Sequence, residues 1–235
     1  MVLILILFCL VVLLLTGLPI FAGLGLVSIF LLLVTEGQIS SLGEIVFGKL
    51  NIYLLVAIPM FAFMAHVMIK SKVIDDLFDT AHTIVRHLPG GLGVATVLSC
   101  TVFAAISGSS VATALTIGST AIPQMKRFGY RLRDTYGVVA AGGTLGILIP
   151  PSIMLVVMGP IMEIPVIDLF AAAIFPGILL ATLYAAYTTI RCMINPKLGP
   201  VLPEDMRAAS MKEVWVEFFL GLVPPAALVF AALGS

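Results

Sequence analysis

Two long stretches without a charged side chain constrain this fold more than any other feature. Residues 88–125 and 135–162 contain no Asp, Glu, Lys, Arg or His, yet each is interrupted by a segment that disfavours a continuous helix. The interruptions read Ser107-Gly-Ser-Ser110 and Gly142-Gly-Thr-Leu-Gly-Ile-Leu-Ile-Pro-Pro-Ser152. In hydrocarbon, irregular backbone persists only where protein, water or a ligand satisfies its polar groups. The two breaks therefore predict a binding site at membrane depth.

The composition indicates an all-α polytopic membrane protein. Hydrophobic residues make up 61% of the chain, charged residues 10%, and the mean hydropathy is +1.21. The lipid bilayer is therefore the expected surrounding. Nucleic acid is excluded as a partner because the net charge is zero and a basic excess is missing. Three widely separated cysteines predict small core residues rather than a disulfide or a metal site.

The apolar segments predict three transmembrane helices before residue 70, at about 2–16, 18–34 and 46–69, with Pro59 as a kink in the third. Between 70 and 88 apolar residues recur at helical spacing while the acidic residues fall elsewhere. That pattern predicts a non-spanning amphipathic helix. It lies either in the membrane interface or packed on neighbouring protein as an ordinary connection.

Clusters of Lys and Arg give an orientation. Three clusters, at 70–86, 126–133 and 191–212, are expected on the cytoplasmic side by the positive-inside rule. The first two share a side if residues 90–125 form a re-entrant hairpin, which fits better than two short spans. We further expect a broken helix, a returning helix, a cytoplasmic linker and a last apolar helix, with the N-terminus periplasmic. These four segments are 135–162, 169–190, 194–213 and 214–235.

The two breaks carry groups that can bind an anion or a cation. A helix broken in the membrane exposes N–H groups that attract carboxylates, and carbonyls that coordinate Na⁺. Small residues at such spacing also mediate close helix packing, which is the competing interpretation. The candidate residues for sodium and substrate are Ser107, Gly108, Ser109, Ser110, Thr113, Gly142, Gly143, Thr144, Gly146, Pro150, Pro151 and Ser152. The backbone carbonyls and hydroxyls around Ser107, Ser109, Gly143 and Thr144 are the expected Na⁺ ligands.

The uncharged stretches favour sodium over a proton as the coupling ion. Proton relays in membranes generally use buried Asp, Glu or His, and residues 88–125 and 135–162 have none. Sodium is held by neutral oxygens, which both breaks supply. No cofactor other than this ion is expected.

At these residues the chain resembles the large membrane subunit of tripartite ATP-independent periplasmic (TRAP) transporters. The matching stretches follow the family's order and spacing over nearly the whole chain. They are Ala57-Ile-Pro-Met-Phe61, Leu88-Pro-Gly-Gly91, Phe103 to Thr113, Gly118 to Pro123, Lys126 to Tyr130, Ala140 to Ser152 and Phe170 to Gly177.

The resemblance implies a non-enzymatic, sodium-driven importer of organic acids in a bacterial or archaeal inner membrane. Its implied partners are a small four-helix membrane subunit and a periplasmic protein that delivers a dicarboxylate, sialic acid, 2-oxo acid or sugar acid. The implied fold is the first half of an inverted-repeat elevator-type transporter. Residues 1–69 would be scaffold helices, 70–88 an arm and 89–193 a transport domain with half of the binding site.

The resemblance also implies a second, inverted repeat, of which residues 214–235 look like the first helix. We therefore expect a truncated chain that does not transport alone. The alternatives are an ion channel or pore with a re-entrant loop, and a non-functional fragment. An intramembrane enzyme is disfavoured because the serines have no base nearby in the uncharged stretch.

Overall fold

The computed structural model describes residues 11–13, 15, 17–35, 40–51, 53–70, 73–85, 87–196 and 198–200. Within these ranges every regular element is a helix and none is a strand. Most of the expected first helix at 2–16, most of the 194–213 linker and the whole of the 214–235 helix lie outside them. The described residues fall into two compact units, which divide between Tyr53 and Leu54.

The first unit contains α1 (Ile20–Thr35) and α2 (Ser40–Leu50). Helix α1 has no acidic or basic residue in its end turns, and most of its large side chains are exposed. Its Ser28 hydroxyl donates to the carbonyl of Leu24 at 2.8 Å, so this polar group is paired within the helix. An uncharged surface of this kind is typical of a helix that faces lipid or another apolar chain.

A short 3₁₀ turn, Tyr53–Val56, precedes α3 (Ala57–Lys70). The continuous helix expected over 46–69 is therefore interrupted between the end of α2 and Ala57. Pro59 lies in the first turn of α3, where a missing N–H removes no helical hydrogen bond. It marks the beginning of a helix and not a kink inside one.

Helix α4 (Val73–Val85) is amphipathic, as its sequence predicts. Its apolar face is buried against α5 (Gly91–Ser107), with Phe78 fully inaccessible and Leu77 3% exposed. Its acidic face reaches the second arm of the hairpin, because Thr120 donates a 2.9 Å hydrogen bond to Asp75. The contacts of α4 are thus those of a helix packed on neighbouring protein.

Helices α5 and α6 (Ser110–Arg127) form a hairpin that fills the centre of the second unit. Helix α5 contributes more buried apolar residues than any other described helix, including Leu92, Phe103 and Ile106 at 0% exposure. Against it pack α4, α6, α7 (Leu132–Thr144) and α9 (Val166–Ile194). Together the two arms run from Gly91 to Arg127, within two residues of the 90–125 expected for the hairpin.

The broken helix consists of α7, a 3₁₀ turn at Leu145–Ile147 and α8 (Ile153–Met162). Helix α9 follows and is 29 residues long. By length and composition α9 is the one helix in the described ranges able to cross a membrane, or one of two if α3 and α4 together count as one bent span. Helices α1, α5 and α8 are apolar but shorter.

Candidate functional site

The hairpin tip is a two-residue turn whose geometry needs glycine. Gly108 has φ 58° and ψ 13°, in the left-handed region, and its N–H ends α5 by donating to Ala104 at 2.9 Å. Ser109 is extended, and its hydroxyl accepts from the N–H of Ala112 at 3.4 Å at the start of α6. A left-handed glycine followed by a serine cap turns the chain by the shortest route between two helices.

Three oxygens converge just below this tip. The hydroxyls of Ser107 and Thr113, both at 0% exposure, lie 3.0 Å apart. The Thr113 hydroxyl donates to the carbonyl of Ser109 at 2.7 Å, which leaves the Ser107 hydroxyl to donate to Thr113. The hairpin therefore holds a buried, uncharged oxygen cluster that links its two arms.

The break in the second stretch leaves carbonyls unpaired. After the 3₁₀ turn the chain runs through a cis Pro150–Pro151 bond to Ser152, which is extended and buried. The Ser152 hydroxyl donates to the carbonyl of Ile147 at 2.9 Å. Neither proline has an N–H, and within the described part of the chain no hydrogen bond is accepted by the Pro150 or Pro151 carbonyl.

A main-chain hydrogen bond joins the hairpin tip to the break. The N–H of Ile153, at the start of α8, donates to the carbonyl of Gly108 at 3.1 Å. The approach is so close that a Cβ on Gly108 would lie 2.8 Å from the Pro151 carbonyl oxygen. The ends of α5, α6 and α8 therefore meet at one place.

Glycines form the face of the broken helix that contacts the hairpin. A Cβ on Gly146 would lie 2.6 Å from the Ser109 carbonyl carbon, and one on Gly143 would lie 2.7 Å from the Ala114 Cβ. On Gly142 it would lie 2.7 Å from the sulfur of Cys100. These glycines bring α7 onto the hairpin, as the packing interpretation of the sequence predicts.

The structure separates Thr144 from the serine cluster. Its hydroxyl donates to the carbonyl of Ala141 at 2.7 Å and lies 3.3 Å from the Tyr184 hydroxyl on α9. The backbone of Ser110, by contrast, faces Gly143, with its carbonyl oxygen 3.2 Å from a Cβ placed there. The hairpin serines and the glycines of the break come together, whereas the Thr144 side chain is directed to another face of α7.

Sequence reasoning did not identify a second polar group, at the other end of α7. Asp134 forms a 2.9 Å ion pair with Arg191 of α9. Arg191 also donates to the Tyr187 hydroxyl at 2.8 Å, one helical turn away. Tyr187 and Arg191 are one helical turn apart, so their contact could be predicted from sequence. The ion pair with Asp134 could not, because only the fold brings α7 and α9 together.

Helix α4 brings acidic side chains to the second arm of the hairpin. Loss of part of its hydration raises the pKa of the Asp79 carboxyl, and a hydrogen bond from Gln124 and the nearby His82 partly offset this rise. Across the described ranges no three His, Cys, Asp or Glu side chains lie close enough to hold a metal ion. The oxygens at the hairpin tip are hydroxyl and carbonyl oxygens of uncharged residues.

Together these features define an all-helical membrane protein built around a hairpin that docks on a broken helix. The sequence matches the family described as "Tripartite ATP-independent periplasmic transporter, DctM component" over residues 7–234. The chain belongs to this family of transporter membrane subunits, as its sequence motifs predicted.

Proteins similar to this chain are named as large permease proteins of TRAP transporters. The chain is 38% identical over 190 residues to the C4-dicarboxylate TRAP transporter large permease protein DctM of Pseudomonas aeruginosa, covering 80% of this chain and 44% of that protein. It is 34% identical over 227 residues to the DctM protein of Rhodobacter capsulatus, covering 89% and 50%.

A third relative, the sialic acid TRAP transporter large permease protein SiaM of Vibrio cholerae, is 29% identical over 219 residues, with coverage of 92% and 50%. The chain thus spans about half the length of the relatives it matches. Their names describe permease subunits and not enzymes.

Proposed function

We propose that this chain is the first half of the large permease of a sodium-driven importer of organic acids. In this proposal a periplasmic binding protein delivers the acid, and a small membrane subunit completes the permease. The chain lies in the bacterial or archaeal inner membrane with its N-terminus outside. The names of the relatives, which include C4-dicarboxylate and sialic acid permeases, support a carboxylate substrate.

One observation carries the proposal: the hairpin tip docks on the broken helix through the Ile153–Gly108 hydrogen bond. This contact gathers the ends of three helices, and their free backbone groups supply both signs of partial charge. Apart from the Ile153 N–H, which is bonded to Gly108, the N-terminal ends of α6 and α8 offer a partial positive charge for a carboxylate. The carbonyls of Pro150 and Pro151 offer a negative one for a cation.

Sodium fits the oxygen set better than a proton or a divalent metal. The cluster at Ser107, Ser109 and Thr113 consists of hydroxyls and a carbonyl, and these residues are all uncharged. Neutral oxygens at unwound helix ends coordinate Na⁺ in carriers built from discontinuous helices. We therefore place Na⁺ at the junction of the hairpin tip and the break, with Thr113 as the hydroxyl that links both arms.

Thr144 has a different role in this proposal. Its hydroxyl is turned towards Tyr184, so we assign it to the contact between α7 and α9. The hairpin packs closely against the broken helix because no side chain intervenes at Gly142, Gly143 and Gly146. In the proposed elevator step the hairpin, the broken helix and α9 move together against the helices before residue 70.

The test is uptake by proteoliposomes that contain the complete large subunit, the small subunit and the binding protein loaded with radiolabelled dicarboxylate or sialic acid. Uptake is expected to require an inward Na⁺ gradient and to saturate. Thr113→Val should reduce it about tenfold or more, because a hydroxyl in a dry site is lost. Thr182→Val is the matched control, since Thr182 is exposed and bonds only within its own helix at 2.8 Å.

Equal uptake with K⁺ in place of Na⁺ would exclude sodium coupling. Ohmic, non-saturating conductance would instead favour the channel alternative. If Thr113→Val and Thr182→Val retained the same activity, the ion site would not be at the hairpin tip.

A further inference from the structure

A cavity of about 280 Å³ lies at the open end of the hairpin, away from its tip. It is bounded by the start of α7, the end of α9 and the bases of both hairpin arms. Most of its wall is apolar, formed by Val97, Met125, Val138, Ala141 and Leu198. The volume is near the lower end of ligand cavities, which are roughly 300–1,000 Å³. The proposed transport mechanism does not use this space.

The rim of the cavity is polar and of mixed charge. Arg133, Asp134 and Arg191 line it. The ion pair at 2.9 Å uses Oδ1 of Asp134, while Oδ2 is buried and has no hydrogen-bond partner in the described part of the chain. Arg191 is held further by the Tyr187 hydroxyl and lies 5.7 Å from the centre of the Tyr187 ring. Asp134 and Arg191 thus hold each other, and Arg133 is the cationic side chain of the rim for which the described part of the chain shows no ion pair.

The surroundings favour a negatively charged occupant. Residues 126–134 contain Lys126, Arg127, Arg131 and Arg133 but only one acidic residue, Asp134. These four cationic side chains, which extend from the end of α6 to the start of α7, are exposed and can attract an anion to the mouth of the cavity. Basic pockets between membrane helices are typical sites for anionic lipid headgroups. A soluble anion alone would leave the apolar wall unused.

We propose that this cavity binds one anionic phospholipid of the phosphatidylglycerol type. The phosphate lies at Arg133, and the first part of one acyl chain contacts the apolar wall. The bound lipid bridges α7 and α9 at the base of the hairpin.

The test is native mass spectrometry of the 235-residue chain, purified in detergent, delipidated and titrated with phosphatidylglycerol. One retained lipid per chain is expected, with phosphatidylcholine of the same acyl length at least about fivefold weaker because it has no net charge. Arg133→Gln should weaken phosphatidylglycerol binding about tenfold. Arg131→Gln is the matched control, as Arg131 is exposed in the same loop and does not line the cavity.

A second variant tests the apolar wall without touching the rim. Gly137 lines the cavity, and a Cβ there would contact nothing within 4 Å, so Gly137→Leu fills the space from an exposed helical position. It should abolish retention of the lipid. Gly25→Leu, in α1, is the control because its added Cβ also meets nothing within 4 Å. Melting curves of all four variants check that each is folded.

Equal binding by Arg133→Gln and Arg131→Gln would overturn the proposal, as would unchanged retention in Gly137→Leu. If inorganic phosphate or chain-free glycerophosphoglycerol displaced the lipid at equal concentration, the site would be one for soluble anions. Equal retention of phosphatidylcholine would reduce it to general contact with lipid. Each of these outcomes is separable from failure of sodium-driven uptake, because no transport is measured.

Discussion

Replacing Gly146 with alanine should disrupt the junction between the hairpin and the broken helix. The added Cβ would lie 2.6 Å from the Ser109 carbonyl carbon, 2.7 Å from its oxygen and 2.7 Å from the Ser110 nitrogen. Carbon atoms are at their optimal separation at about 3.5–4.0 Å, so the two backbones must part by roughly 1 Å. All three neighbours are main-chain atoms, which cannot rotate away as the end of a flexible side chain could.

The expected cost follows from this displacement. Overpacking a close contact destabilises proteins by about 1–3 kcal/mol. For a chain of this size 1 kcal/mol shifts the melting temperature by about 2–4 °C, so Gly146→Ala should melt roughly 2–12 °C lower. The separation should also weaken the Ile153–Gly108 hydrogen bond, which is 3.1 Å long. The amide of Ile153 should then exchange with deuterium faster.

Gly137→Ala is the matched control. Gly137 is in the interior of α7, is exposed, and an added Cβ would meet nothing within 4 Å. This substitution should stabilise the helix by about 0.5–1 kcal/mol. The assay is the apparent melting temperature in detergent at a fixed scan rate, with hydrogen exchange of Ile153 as the local measure. If Gly146→Ala had the same melting temperature as Gly137→Ala, or left hydrogen exchange at Ile153 unchanged, the junction would not be as tight as described.

Three further outcomes are expected. Thr113→Val should lower the free energy of unfolding by about 1–3 kcal/mol, because the buried Ser107 hydroxyl loses its 3.0 Å partner and keeps only the 3.4 Å contact with the Ser109 carbonyl; a change no larger than that of Thr182→Val in a denaturant titration would contradict this. The folded-state pKa of Asp79 is raised, so ionisation of its carboxyl opposes folding once the pH exceeds the pKa of the unfolded state. Asp79→Asn should therefore raise the melting temperature at pH 7, and this advantage should disappear near pH 3. Thr120→Val should cost no more than about 1 kcal/mol in the same titration, because its bond to Asp75 is exposed.

The hairpin could be predicted from sequence because its signals are local. Ser107-Gly-Ser-Ser110 combines a glycine for the left-handed turn with a serine that caps the next helix, and the arms end within two residues of the expected positions. The break at Gly142–Ser152 is equally local, since two prolines remove consecutive N–H groups. Such features depend on backbone conformation more than on tertiary contacts.

The parts that sequence did not predict depend on partners distant in the chain. Thr144 was grouped with the hairpin hydroxyls, but its hydroxyl lies against Tyr184, 40 residues away, because the adjacent glycines turn their own face to the hairpin. The Asp134–Arg191 pair likewise joins residues from two helices. Pro59 was expected to kink a long helix, yet a proline is equally compatible with the first turn of a new one.

The joint between the hairpin tip and the broken helix consists of main-chain atoms, so its geometry does not depend on which side chains surround it. Its hydrogen bond runs between Gly108 and the N–H of Ile153, and its closest approaches are those of Gly146 to the backbone of Ser109. A change of side chain elsewhere at the tip therefore leaves the frame intact. A skeleton of this kind could carry different sets of contact residues without rebuilding the joint, and the relatives of this chain are named for both C4-dicarboxylates and sialic acid.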